Sequence, residues 1–326
     1  MSLIAIYRQA TDHATSKGII MMRTSEDGTS WSAASLIYSH ATYDVRDPSI
    51  TKLADGSLIV SFFLYDYVGM ASLLQAVMTT ISTDDGETWS DAASIGDSFV
   101  HSSQCCGPIV ELDDGTLLLP FYGKDIVTTR RTARLMTSSD GGVTWGGSVT
   151  IADGQVDIKD YSEPNLVLLS DNSILCMIRM DYGTDTIYKA TSTDDGATWS
   201  ATEACFEGSG APHTIQMYSG ILVICYRSSV NSRVAMRTSV DTGYTWSDEV
   251  IIDNTAYKGM AYASPMEVNR GKVSIAYSLE EYGYADVLYK SLAVSYINLV
   301  DETLRISPTV DKVAKLTRDI SRKLRL

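Results

Sequence analysis

Apolar residues along this chain fall into short runs, and the runs recur in a fixed order. One run ends at a turn such as Ala54-Asp55-Gly56 or Asp113-Asp114-Gly115. A second run follows that is apolar at nearly every position: SLIVSFFL, TLLLPFYG, SILCMIRM and ILVICYRS. An alternating strand then leads into an octapeptide, and a short last strand closes the unit. Asp-Gly between short β-rich runs is a hairpin signal. Runs that are apolar on both faces predict strands sandwiched between neighbouring sheets.

The octapeptide sets the period. Its copies are TSEDGTSW (Thr24 to Trp31), STDDGETW (Ser82 to Trp89), SSDGGVTW (Ser138 to Trp145), STDDGATW (Ser192 to Trp199) and SVDTGYTW (Ser239 to Trp246). All five tryptophans of the chain end one, at steps of 58, 56, 54 and 47 residues. A near-constant period of this size marks stacked supersecondary units, and four strands per unit repeated radially make an all-β propeller. An unmarked repeat from about Ala261 to Leu299, with SPMEV, KVSIAYSL and ADVLYKSLAVSYI, brings the expected count to six blades. The first unit lacks one strand before Leu3, so the C-terminal part of the ring is expected to close it. Within the octapeptide, Gly supplies a positive φ, Asp accepts turn N–H groups and Trp caps an apolar layer.

No linker rich in Pro, Gly or Ser interrupts the chain, so residues 1–305 read as one propeller. Beyond them Val310, Val313, Leu316, Ile320 and Leu324 recur every three or four residues, which predicts an amphipathic helix over 306–326. That tail carries six basic and two acidic residues against a whole-chain charge of −14. It reads as a helix packed under an acidic body, or as a route to an oligomer.

Composition narrows the function. Acidic residues outnumber basic ones 40 to 26, which argues against nucleic acid as the partner. The longest apolar runs are too short for a membrane span of ~20 residues, so no membrane insertion is expected. No segment near Met1 has the order of a signal peptide, which leaves location open; a secreted or virion-associated setting is the expectation. The five cysteines show no CxxC spacing, and no metal or cofactor is implied.

The octapeptide is the Asp-box, or BNR repeat, of sialidases, and the chain resembles a sialidase-like six-bladed propeller from roughly Ile4 to Leu299. The box itself carries fold and no function, so the chemistry rests on other residues. Sialic acid bears a carboxylate on its anomeric carbon, which arginine forks match. That carboxylate would repel an Asp or Glu nucleophile, so the family uses a tyrosine activated by a glutamate.

The resemblance places these roles in order. Val45-Arg46-Asp47-Pro48 is similar to the Arg-Ile-Pro motif, which makes Arg46 the first arginine and sets Asp47 beside the pocket. Ser162-Glu163-Pro164-Asn165, followed by Arg179, resembles the glutamate and the second arginine. Arg227, at the end of the second run in ILVICYRSS, is the third. MAYASPMEVNRGKVSIAYSLEE resembles the nucleophile segment, giving Tyr262 with Glu163 as its base. Glu280 or Glu281, the latter preferred, stands where an acid orients the first arginine. The family carries its general acid in the loop after the second strand of the Arg46 blade. Between Ser57 and Ser82 the only carboxylate is Asp66, with Asp47 as its rival.

Each residue also has a plain reading. An arginine at a strand end is ordinarily solvated or ion-paired, and His101, Gln104, His213 and the Cys105-Cys106 pair read as ordinary packing or surface residues. Three arginines at matched blade positions beside a Glu and a Tyr favour chemistry. The expectation is a retaining exo-sialidase-like hydrolase of a terminal α-linked sialic acid or related acidic sugar. Its partner would be a sialylated or other acidic glycan. Endosialidase-like and trans-sialidase-like relatives, and a non-catalytic glycan-binding adhesion or phage-tail module, are the alternatives.

Overall fold

The computed structural model describes residues 3–11, 16–66, 76–96, 102–124, 130–181, 183, 185–229, 232–253, 261–281, 284–296, 304–307 and 314–315. Among them the chain forms six antiparallel sheets, the blades of a propeller. Blade one is β1 (Leu3–Gln9), β2 (Ile19–Ser25) and β3 (Ser35–Tyr38). Blade two is β4 (Asp44–Lys52), β5 (Leu58–Tyr65), β6 (Ala76–Ser82) and β7 (Ala93–Ser94). Blade three has a split inner strand, β8 (Ser102–Gln104) and β9 (Val110–Glu111), then β10 (Leu117–Lys124), β11 (Thr132–Ser138) and β12 (Gly146–Ala152). After a one-turn helix, Gly154–Asp157, blade four is β13 (Asp160–Leu168), β14 (Ile174–Asp181), β15 (Thr186–Ser192) and β16 (Glu203–Glu207). Blade five is β17 (Gly210–Gln216), β18 (Leu222–Arg227), β19 (Val234–Ser239) and β20 (Val250–Ile251). Blade six is β21 (Ala261–Asn269), β22 (Lys272–Glu281), β23 (Tyr284–Tyr296), β24 (Leu304–Ser307) and β25 (Ala314–Lys315).

The second strands of blades two to five are buried at nearly every position because each faces a neighbour on both sides. Along β14, Ile174, Cys176 and Ile178 pack toward blade three, while Leu175 and Met177 pack toward blade five. In β18, Leu222, Ile224 and Tyr226 face blade four while Val223 and Cys225 face blade six. This is strand alternation applied to a sheet with two buried faces. The core is thus a set of radial layers, one between each pair of adjacent blades. Leu3, Ala5 and Trp31 of blade one meet Val268 of blade six, which closes the ring.

The octapeptide turns are built alike. In blade two, Ser82 Oγ donates to Asp84 Oδ1 at 2.8 Å and accepts the Gly86 N–H at 2.9 Å. Asp84 also accepts from Thr88 N at 2.8 Å. Gly86 sits at φ 90°, where a side chain would be strained. Hydrogen bonds from Thr88 and Ser82 pull the Asp84 carboxyl down to about 2. Each tryptophan packs on the layer between its own blade and the preceding one, and Trp145 Nε1 reaches Thr79 Oγ1 there at 3.2 Å.

The chain end departs from expectation. Of the segment expected to be helical, the described residues are strands: Ile306 and Ser307 pair with Val294 and Ala293, and Ala314 and Lys315 with Tyr289 and Leu288. The thirteen-residue β23 offers a row of open N–H and C=O groups, and chain pairing there wins over a short helical periodicity. β24 also crosses the boundary expected at residue 305. The C-terminal strands join blade six, and among the described residues none pairs with β1 except β2. Among the described residues, no helix is long and apolar enough to cross a membrane.

Candidate active site

The inner strands of blades two to six each carry an X-Pro step: Asp47-Pro48, Gly107-Pro108, Glu163-Pro164, Ala211-Pro212 and Ser264-Pro265. Proline has no N–H to give the ladder, so the pairing skips there in three blades. Arg46 pairs with Phe63 and Ser49 with Ser61; Ser162 with Arg179 and Asn165 with Met177; Gly210 with Arg227 and His213 with Cys225. Each skip is a β-bulge with two inner residues opposite one, which re-aims side chains at the axis. Arg179 and Arg227 therefore occupy the same register position in blades four and five. The equivalent position in blade two holds Phe63, and its arginine is Arg46, on the inner strand.

The bulges assemble one network. Glu163 is 3% exposed. Its Oε1 accepts from Arg179 Nη1 at 2.9 Å and from the Tyr262 hydroxyl at 3.3 Å. Its Oε2 accepts the Ala211 N–H at 2.8 Å, from the blade-five bulge. Arg179 Nε also lies 2.9 Å from Asp181 Oδ1, and Asp181 pairs with Arg131 of blade three. Burial alone would lower the Arg179 pKa, but Glu163, Asp181 and Tyr262 outweigh it and hold the guanidinium charged.

Arg227 stacks 5.8 Å from the Tyr262 ring centroid and is 7% exposed. Its Nε donates to Ser209 Oγ at 3.1 Å and its Nη2 to Ser209 O at 2.5 Å. Among the described residues no carboxylate lies within ion-pair distance of it. Glycine at 210 makes room, since a Cβ there would stand 2.8 Å from the Arg227 Cζ. Burial pushes the Tyr262 phenol well up; Glu163 and Asp47 add to the rise, and Arg179 and Arg227 oppose it. At neutral pH Tyr262 is thus a neutral phenol donating to Glu163.

The other expected residues fall in different places. Arg46 Nε donates to Asp44 Oδ2 at 2.5 Å, and its guanidinium lies 4.6 Å from the Tyr65 ring centroid. Asp47 is in the blade-two bulge at φ 47°, and its charge falls on Tyr262 and on buried Tyr122 and Cys106. Asp66 follows the last residue of β5, and residues 67–75 after it lie outside the described ones. Glu280 and Glu281 end β22, pairing with Ala285 and Tyr284, where only the backbone is described. His101 lies outside the described residues. His213 Nε2 is 3.1 Å from Cys106 O, and burial lowers its pKa, leaving a neutral imidazole. Burial raises both Cys105 and Cys106 thiols, so these packed side chains are inert. Tyr122, fully inside the same neighbourhood, carried no signal that separates it from the other tyrosines of the sequence.

The site therefore gathers a neutral phenol, a buried glutamate, two arginines and a second acid at the bulged end of the inner strands. Such a set can hold an anion, take a proton from the phenol and aim its oxygen at an electrophile.

The sequence model of BNR repeat-like domains matches residues 2–275. No curated protein sequence matches the chain. Among solved structures, a protein of unknown function from Dyadobacter fermentans is 19% identical, with a TM-score of 0.74 over 89% of this chain and 90% of that one. The Hadza microbial sialidase Hz136 is 18% identical with a TM-score of 0.68, covering 84% of this chain and 60% of its own, so the chain spans about three fifths of that sialidase. The α-L-arabinanase of Penicillium chrysogenum, in complex with arabinobiose, is 13% identical with a TM-score of 0.67 over 88% and 89%. At these identities the likeness is one of fold.

Proposed function

This chain belongs to the BNR repeat-like domain family, and we propose that it is a retaining, sialidase-like glycosidase that removes a terminal α-linked acidic sugar, sialic acid foremost. The observation that supports this best is Arg227. It is a buried cation with no carboxylate partner among the described residues, stacked on the tyrosine that donates to Glu163. Burying an unpaired charge is costly, and an anionic group arriving with the substrate would complete the pair.

In this reading Arg227 and Arg179 hold the sugar carboxylate, with Arg46 as the third arm from blade two. Glu163 takes the Tyr262 proton as the phenolic oxygen attacks the anomeric carbon, so the raised phenol pKa is overcome only when bond formation has begun. Ala211 N–H and Arg179 hold Glu163 in the orientation this needs. Phenol is a suitable nucleophile here because it is neutral in the ground state, beside a substrate that is not. A carboxylate of blade two, Asp47 or Asp66, protonates the leaving oxygen. The acidic body does not forbid an acidic substrate, since exposed charges are screened beyond ~8 Å at physiological salt.

The test is release of methylumbelliferone from its α-sialoside, with the α-L-arabinofuranoside as the neutral comparison. Turnover of the sialoside is expected, lost by at least ~10³-fold in Tyr262→Phe while a sialic acid analogue still binds. Saturable binding of sialosides without any turnover would identify a glycan-binding propeller instead.

A further inference from the structure

Two acids of this site stand in the same unusual backbone position. Asp47 in β4 and Glu163 in β13 each occupy the first place of a β-bulge, each precede a proline, and each adopt a left-handed φ, 47° and 49°. A residue before proline is ordinarily extended, and a non-glycine residue at positive φ inside a strand is strained. The same strain kept twice, at matched places in blades two and four, points to a requirement on where those two carboxyl groups aim. Blades two, four and six alternate around the ring, so Asp47 and Glu163 approach the mouth from two sides and Tyr262 from the third. The two acids differ in access: Glu163 is buried and bonded to Arg179, Tyr262 and Ala211, whereas Asp47 is partly exposed. The negative charge of Asp47 is also felt at Tyr262. Asp66, by contrast, lies three residues beyond Phe63, the partner of Arg46, roughly 10 Å further along β5.

From this juxtaposition we propose that Asp47 is the general acid and base of the reaction, a catalytic residue paired across the mouth with Glu163. The assignment rests on the glycosidase reading above and specifies its proton path. In the first step the Asp47 carboxylic acid gives its proton to the glycosidic oxygen as the bond from that oxygen to the anomeric carbon breaks. The Tyr262 oxygen forms its bond to that carbon and passes its proton to Glu163. In the second step the Asp47 carboxylate takes a proton from water, whose oxygen attacks the anomeric carbon. The tyrosyl bond breaks, and Glu163 returns the proton to Tyr262. The sum is glycoside plus water giving sugar plus alcohol, with both acids restored.

The experiment compares Asp47→Asn with Asp66→Asn on two α-sialosides, one with the acidic methylumbelliferyl leaving group and one with an alkyl alcohol. Asparagine tolerates the left-handed backbone. Asp47→Gly, which suits positive φ and removes the carboxyl, is the second variant should the first fold poorly. A general acid is worth ~10²- to 10⁴-fold. The alkyl sialoside should lose that factor in Asp47→Asn while formation of the enzyme-bound sugar from the aryl sialoside, read as a burst, changes by less than ~10-fold. Azide, an anion that needs no base, should restore steady turnover of the aryl sialoside and yield the sialosyl azide. In Asp66→Asn both substrates should fall by one common factor, and azide should have no effect. Equal losses on both sialosides in Asp47→Asn and Asp47→Gly, or the leaving-group dependence and azide rescue appearing in Asp66→Asn, would overturn the assignment while leaving the glycosidase reading intact. Absence of turnover by the wild type would remove the reading, and the assignment with it.

Discussion

Tyr262 and Arg227 show how far single side chains are defined by what surrounds them. The phenol is raised by burial and two acids, so it waits as a neutral hydrogen-bond donor. Arg227 donates to two neutral oxygens of Ser209. Losing a charged partner of a buried ion pair costs ~2–5 kcal/mol. Arg227→Ala should therefore weaken a bound sialic acid analogue by at least ~30-fold in titration calorimetry. A change below ~3-fold would mean that no anion sits there. Four of these residues were legible from the sequence because they recur at matched blade positions or sit in a recognisable segment: Glu163, Arg179, Arg227 and Tyr262. Asp47 was legible only as an acid near the pocket, since a left-handed φ in mid-strand leaves no mark in the letters. The bond from Arg46 to Asp44 was hidden for another reason. Asp44 is shared with Arg8, a residue 36 positions earlier, and such a pair is visible only once the blades stack.

Between elements, that same Asp44 acts as a staple. It opens β4, is 0% exposed, and accepts from Arg8 Nε at 3.0 Å, Arg46 Nε at 2.5 Å and the Gly18 N–H at 2.5 Å. Blade four repeats the device four residues before its proline: Asp160 accepts from Arg130 Nη1 at 2.7 Å and from Arg131 N at 3.0 Å. In both cases a buried acid at the start of an inner strand ties it to the preceding blade. Removing one partner of such a pair leaves the other unpaired and costs ~3–5 kcal/mol. Asp44→Ala should lower the urea unfolding free energy by that amount, and a loss under ~1 kcal/mol would show that the staple does not hold the blades. The strands and their Asp-Gly turns were read correctly because alternation and turn chemistry are local. Ile306, Ser307, Ala314 and Lys315, read as helical, are strand residues, because five apolar positions at helical spacing say nothing of the open edge of β23 that these four pair with.

For the whole molecule, the five tryptophans already outlined the ring, since each marks a layer between adjacent blades. What the period could not show is closure: at the seam Leu3, Ala5 and Trp31 meet Val268, and among the described residues no C-terminal strand is added to blade one. Nor could it show that three bulges turn four blades' worth of side chains onto one point: Glu163 and Tyr262, in contact, are 99 residues apart. The ring is the scaffold that makes this convergence rigid. The central claim is that the convergence serves a covalent step at Tyr262. The direct measurement is mass spectrometry of the protein after incubation with a 3-fluorinated sialosyl fluoride, whose fluorine slows release of the enzyme-bound sugar. The account predicts one added sialosyl unit, mapped to the peptide bearing Tyr262 and absent in Tyr262→Phe. An adduct on any carboxylate, or continued turnover of an α-sialoside by Tyr262→Phe, would contradict it.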